Sequence, residues 1–211
     1  MTDLPLLQAE ALTCERDDRV LFSALSFTAR AGELWQIAGP NGAGKTTLIR
    51  MLAGLHGHYE GRLDWPAARA QGLDPRQQRL ALGHRHGLRA ELTPWENLRW
   101  LLALHQRPFV AEAVEHALAR VRLAGYESVP VAQLSAGQGR RVVLSLLWLL
   151  DKTVWLLDEP FTALDVDGVA LVEARLRELV SAGALVMYSS HHRVDDDARR
   201  IHLGQGPGEV L

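Results

Sequence analysis

Residues 34–53 read LWQIAGPNGAGKTTLIRMLA. The stretch opens on a short apolar run, Leu34 to Ala38, with the composition of a buried strand. It turns through Gly39-Pro40-Asn41-Gly42-Ala43-Gly44 and continues from Lys45 to Ala53 as a helix. Gly39 to Thr46 fit the pattern G-x-x-x-x-G-K-[ST], and Thr47 follows. Glycines let the backbone curl until several N–H groups point at phosphate oxygens. The helix that begins near Lys45 turns its positive dipole end toward the same anion. In such a loop Lys45 reaches the β- and γ-phosphates and the Thr46 hydroxyl holds Mg²⁺. The pattern needs a strand before it and a helix after it, and both are present.

Outward from this loop the chain alternates. A helix over 138–150 leads to a strand at 154–158 (VWLLD), a helix at 168–182 and a strand at 184–189 (ALVMYS). Helix and strand in alternation predict a parallel α/β sheet. Upstream, residues 4–14 and 25–29 alternate as strands, with Glu15 to Arg19 a polar turn between them, and 79–82 (RLAL) is a further short strand. The middle is helical. Thr93-Pro94-Trp95-Glu96 reads as a helix start, with Thr as cap, Pro at the first helical position and Glu three after the cap. Residues 110–124 carry apolar positions at helical spacing, with Gly125 as the C-terminal cap. The expected organisation is one domain over 1–211, with a core lobe at about 1–88 and 152–211 and a helical lobe at about 89–151.

Composition narrows the class. The 211 residues are 47% apolar and 23% charged, with a net charge of −2, ordinary for a globular chain. A near-neutral balance gives no electrostatic reason to propose nucleic acid as a partner. Cys14 is the single cysteine, so no intrachain disulfide forms, which fits a reducing compartment. The closest approach to a membrane helix, the nine residues Val142 to Leu150 including Ser145, falls well short of the roughly 18 apolar residues such a helix needs. Asp3 and Glu10 in the first ten residues, with no basic stretch before an apolar run, predict no signal peptide.

Two further motifs carry chemistry. Val154 to Glu159 is an apolar strand ending in two carboxylates, where parallel strands place functional groups. Asp158 there orients Mg²⁺ and its waters, and Glu159 polarises the attacking water, a general-base role worth roughly 10²–10⁴-fold. Leu134-Ser135-Ala136-Gly137-Gln138 precedes the next helix, so a serine and backbone amides form a second anion site. One nucleotide does not need two such sites in one monomer, which points to a pocket completed by another subunit. In pattern and order the chain resembles the ATP-binding cassettes of ABC transporters, whose LSGGQ signature LSAGQ matches with Ala136 in place of one glycine.

The resemblance implies a P-loop NTPase fold with a RecA-like core and an inserted helical subdomain. It implies a head-to-tail homodimer of cassettes around two ATP molecules. Each pocket would use Gly39 to Thr47, Asp158, Glu159 and His191 of one chain with Ser135, Ala136, Gly137 and Gln138 of the other. Ala163-Leu164-Asp165 resembles the family's D-loop, with Asp165 toward the partner, and His191 matches the histidine that senses the γ-phosphate. The chain also departs from the pattern. The family's adenine-stacking aromatic is missing near position 16, where Arg16 either stacks its guanidinium on the base or stands as a solvated turn residue. Arg85 takes the place of a glutamine, and arginine only donates, so it cannot ligate Mg²⁺. Gly139 stands where a long polar residue is usual.

Within the family the chain is most similar to the cytochrome c maturation cassettes, on CERD at 14–17, LFS at 21–23, Gly83-His84, LSAGQ, RRV at 140–142 and DEPFTA at 158–163. That resemblance implies a peripheral subunit on the cytoplasmic face of the bacterial inner membrane, with integral membrane subunits of the CcmB and CcmC types. ATP hydrolysis would then drive heme export or release of a heme-loaded chaperone. The alternatives are the cassette of a lipid or drug exporter and a soluble ABC ATPase. His56-x-His58 and His84-x-His86 invite heme or metal ligation, but no cysteine or carboxylate cluster in the sequence supports it. Trp95 and Trp100 on the helical lobe are candidates for a membrane partner.

Overall fold

A computed structural model describes residues 4–16, 19–83, 87–204 and 208–210. The chain divides into two compact units: Met1–Leu82 with Lys152–Glu159 and Leu176–Leu211, and Gly83–Asp151 with Pro160–Arg175.

The first unit is built on a six-stranded sheet in the order β5-β6-β7-β3-β8-β9. Its strands are β3 (Leu34–Ala38), β5 (Arg79–Leu82), β6 (Val154–Asp158), β7 (Leu185–Ser189), β8 (Arg199–His202) and β9 (Glu209–Val210). All pairings are parallel except β8 with β9. Every residue of β6 and β7 is buried, as a parallel sheet covered on both faces requires. Each fully buried Leu or Val side chain in them stabilises the fold by about 1.5–3 kcal/mol.

A second, antiparallel sheet in the order β2-β1-β4 joins β1 (Leu7–Arg16), β2 (Arg19–Ala29) and β4 (Glu60–Asp64). The polar stretch expected as a turn is largely strand, since Glu15 pairs with Val20 and Arg16 with Arg19. Phe27 and Trp35 meet with ring centroids 5.5 Å apart, and one apolar core joins the small sheet, β3, β6, β7 and α1 (Lys45–Leu52). Cys14 is buried in that core, its Sγ 3.7 Å from Nε2 of His56. Short helices α2 (Pro66–Ala70) and α3 (Pro75–Gln78) lead into β5.

The second unit carries α4 (Pro94–Leu104), α5 (Ala111–Arg120), α6 (Ala136–Leu144) and α7 (Leu146–Leu149). Thr93 and Glu96 close the expected capping box on α4. Buried Asn97 ties the preceding loop to the helix, accepting from the Arg89 N–H and donating to the Arg89, Leu92 and Thr93 carbonyls. Two helices differ from expectation. The second ends at Arg120 rather than near Gly125, because Arg122 takes φ +59°. The run expected as 138–150 begins at Ala136 and breaks at Ser145, whose hydroxyl donates back to the Val142 carbonyl at 2.7 Å.

The helical unit also takes in Pro160–Arg175, which sequence order assigns to the core lobe. Side chains explain it. Arg141 pairs with Asp165, Arg122 pairs with Asp167 at 2.7 Å, and Arg175 donates to the Leu147 carbonyl at 2.8 Å. Helix α8 (Val166–Ser181) therefore begins in this unit and ends in the other.

Candidate functional site

Parallel strands bring their carboxyl ends to one edge of a sheet. In the large sheet β3 runs into the Gly39–Gly44 loop, β6 ends at Asp158, and β7 ends at Ser189, two residues before His191. Gly39 stands at φ +143°, and a Cβ there would come within 2.2 Å of the Leu203 carbonyl oxygen, so only glycine fits the start of the turn. The Lys45 side chain folds back into the loop and is buried. Its Nζ donates to the carbonyls of Gly39 at 2.8 Å and Pro40 at 3.1 Å.

Strand β7 lies between β3 and β6, and its last residue bridges their ends. Ser189 donates its hydroxyl to Asp158 Oδ1 at 2.7 Å, and Thr46 Oγ1 donates to the same oxygen at 3.2 Å. Asp158 is 2% exposed, which suits a carboxylate fixed by hydroxyl donors. Thr46 and Asp158 together present hard oxygen donors of the kind Mg²⁺ takes. Glu159 adopts φ +50°, strained for a residue other than glycine. Its N–H is held by Ser189, reaching Oγ at 2.9 Å and the carbonyl at 3.1 Å. The strain turns the chain sharply at the point where the second carboxylate leaves the strand.

His191 is exposed, with Nε2 3.4 Å from Oδ1 of Asn41 in the loop. A cavity of about 460 Å³ is lined by Thr46, Thr47 and Arg50 of α1 together with Glu15, Arg16, His56 and His58. It places Arg16 beside the hydroxyls that follow the loop lysine. His56 and His58, whose spacing invites heme or metal ligation, lie here as well, with ring centroids 6.1 Å apart. Among the described residues no group of three or more His, Cys, Asp or Glu side chains could hold a metal ion.

In the helical unit, Ser135 caps α6. Its Oγ accepts from the Gln138 N–H at 3.2 Å, while Gln138 Oε1 accepts from the Ser135 N–H at 2.9 Å. A Cβ on Gly137 would lie 2.5 Å from the Ala163 carbonyl oxygen, so the missing side chain lets the helix start press against the 163–165 turn. Ala136 and Gly139 are in the same helix. Asp165 accepts from Arg141 and from the Gly168 N–H at 2.9 Å. Those two bonds, the one from Arg141 first, hold its carboxyl below the ordinary value. Arg85, with His84 and His86, lies outside the described residues.

Sequence reading missed two residues that organise the site. Gln36 is buried in β3, and its polarity within the otherwise apolar LWQIA was the available signal. Ser189 closes the apolar run ALVMYS with a hydroxyl, a pattern that says nothing of Asp158 until the strand order is known. The capping box at S-x-x-Q, residues 135–138, is legible in the sequence as a helix start.

Known proteins resemble this chain over most of its length. The chain is 56% identical over 204 residues to the cytochrome c biogenesis ATP-binding export protein CcmA of Alcanivorax borkumensis, covering 97% of this chain and 90% of that one. With the protein of the same name from Vibrio cholerae the identity is 47% over 204 residues, covering 94% and 99%. A solved structure of an ATP-binding subunit of an ABC transporter superposes with a TM-score of 0.80 at 24% identity, covering 98% of this chain and 90% of that chain, and so shares the fold. The ABC transporter family model matches residues 22–162, which hold the Lys45 loop, the 134–138 signature and the Asp158-Glu159 strand end. By that match and those relatives, the chain belongs to the ABC transporter family.

Proposed function

We propose that this chain is the ATP-hydrolysing subunit of an exporter serving cytochrome c maturation. The carrying observation is the gathering of the Lys45 loop, Thr46, Asp158, Glu159 and His191 at one sheet edge, in a chain 56% identical to a cytochrome c biogenesis ATP-binding export protein. Backbone N–H groups of Gly39 to Thr47 and the Lys45 ammonium bind the β- and γ-phosphates. Thr46 and Asp158 would hold Mg²⁺, which when bound would neutralise phosphate charge. Glu159 orients a water and takes its proton as the water oxygen bonds to the γ-phosphorus. The bond from that phosphorus to the bridging oxygen breaks, leaving ADP and phosphate. His191 reads the γ-phosphate, and Arg16 lies against the base in the cavity beside Thr46 and Thr47.

The pocket is completed by a second copy of the chain, which offers Ser135, Ala136, Gly137 and Gln138 across the dimer, with Asp165 at its edge. No helix among the described residues is long and apolar enough to cross a membrane. The cassette works as a peripheral subunit on the cytoplasmic face of the inner membrane, seated on integral subunits of the CcmB and CcmC types. Its hydrolysis drives heme export or release of a heme-loaded chaperone. Arg85 takes the place of a glutamine that, in cassettes of this family, links the metal site to the membrane partner.

The test is heme staining of c-type cytochromes in cells lacking this gene, complemented with the wild type or with Lys45→Ala. Staining restored by the wild type alone ties ATP use by this chain to cytochrome c maturation. Normal staining without the gene removes the pathway from the reading, and full rescue by Lys45→Ala removes the role of the loop.

A further inference from the structure

We propose that Gln36 is a positioning residue for His191, setting the histidine against the phosphate loop from inside the sheet. Gln36 lies on β3, between β7 and β8, and is 3% exposed. Its Nε2 donates to the carbonyl of Ser190 at 2.9 Å and to that of His192 at 3.3 Å, the residues on either side of His191. Its Oε1 accepts from Nε of Arg200 on β8 at 3.1 Å. Arginine only donates, so Arg200 fixes which end of the amide is oxygen and aims the two N–H donors at the 190–192 turn.

The rest of that turn is tied down from its own side. The His192 N–H is accepted by Ser190 Oγ at 2.9 Å, and the Val194 N–H by the Tyr188 hydroxyl at 3.0 Å. A buried amide in an apolar strand is costly unless its bonds are made. Here each bond falls on the backbone that carries His191 or on the arginine that orients the amide. The same strand runs directly into Gly39, so β3 carries both the phosphate loop and the clamp on the histidine that meets Asn41 of that loop at 3.4 Å. A site element held by a rigid strand keeps its geometry better than one on a loop alone.

This inference rests on the reading of His191 as the residue that senses the γ-phosphate. The experiment measures ATP turnover by the full chain for Gln36→Leu, Gln36→Glu, His191→Ala and the double variant Gln36→Leu/His191→Ala. Gln36→Leu removes the whole amide. Gln36→Glu keeps its shape and the acceptor for Arg200 while removing the donors, and so serves where the leucine variant fails to fold. Both single variants at 36 are expected to lower kcat by about ten- to a hundredfold, the scale of an ångström-level misplacement, with KM for ATP little changed. In the His191→Ala background Gln36→Leu is expected to add no further loss, since both act through one side chain. A loss with His191→Ala but none with either variant at 36 overturns this inference alone. The same fold loss in the His191→Ala background also overturns it. Full turnover in His191→Ala overturns the reading of His191 and this inference with it.

Discussion

Thr46 Oγ1 lies 3.2 Å from Asp158 Oδ1, although 112 positions separate the two residues along the chain. The approach is made by strand order, since β3, which leads into the loop and helix of Thr46, and β6, which ends at Asp158, flank β7, whose Ser189 donates to the same carboxylate oxygen at 2.7 Å. Hydroxyl, carboxylate and phosphate loop are therefore organised by the sheet before any ligand arrives, which is the condition for electrostatic catalysis without reorganisation.

Binding and hydrolysis should separate between two single changes. Glu159→Gln keeps the side-chain shape and loses the base, and turnover should fall by roughly 10²–10⁴-fold while ATP still binds. Lys45→Ala should lose both. Phosphate release and equilibrium ATP binding measured on the same preparations check this. Turnover near the wild-type rate in Glu159→Gln would remove the glutamate from the chemistry.

The cavity beside Arg16 gives a second expectation. A guanidinium stacked on a base contributes about 1 kcal/mol or somewhat more. Arg16→Ala should therefore weaken ATP binding severalfold, and Arg16→Tyr should restore it by supplying the aromatic that the family usually carries there. Titration of ATP into the three proteins decides, and equal affinities would place the base elsewhere.

Much of this site was legible because its signals are local. The loop, its flanking strand and helix, and the LLDE strand end each lie within a few residues, and the Thr93 cap is a four-residue pattern. What escaped depends on pairing at a distance. Arg199–His202 is polar and reads as nothing in particular, yet it is strand because β3 offers its edge, with Trp35 opposite Arg199 and Ile37 opposite Ile201. Glu60–Asp64 is equally featureless and is strand through β1. Pro160–Arg175 belongs with the helices through Asp165, Asp167 and Arg175, whose partners no periodicity names. Gln36 is polar within an apolar run, but its use depends on the turn that it meets, 154 residues away in sequence.

The close approach of Gly137 to the Ala163 carbonyl predicts an asymmetry within the signature. Alanine is already accommodated at 136, whereas Gly137→Ala sets a Cβ 2.5 Å from a backbone oxygen. Forcing that fit should cost roughly 1–3 kcal/mol. A thermal melt of Gly137→Ala should show the loss, and an unchanged melting temperature would mean that the 163–165 turn yields freely.

Acid should loosen the contact between Arg141 and Asp165. The hydrogen bond from Arg141, and then the N–H of Gly168, lower the carboxyl pKa in the folded chain. A depressed carboxylate contributes stability above the ordinary range near about pH 4 and loses it as pH falls through the lowered value. Melts of the wild type and Asp165→Asn should differ at pH 7 and converge below about pH 4. A gap that stays constant with pH would show that the charge on Asp165 carries none of the difference.

Cys14 is the only cysteine in the sequence and is fully buried, and burial raises its thiol pKa. Thiolate is the form that reacts with alkylating and maleimide reagents, so this sulfur should be nearly inert toward them in the folded protein. The natural chain thus comes with a silent background for spectroscopy. A cysteine introduced at an exposed position in each unit could carry a fluorophore or spin label, with no prior removal of native thiols. The distance between the labels would report directly whether ATP changes the spacing of the two units.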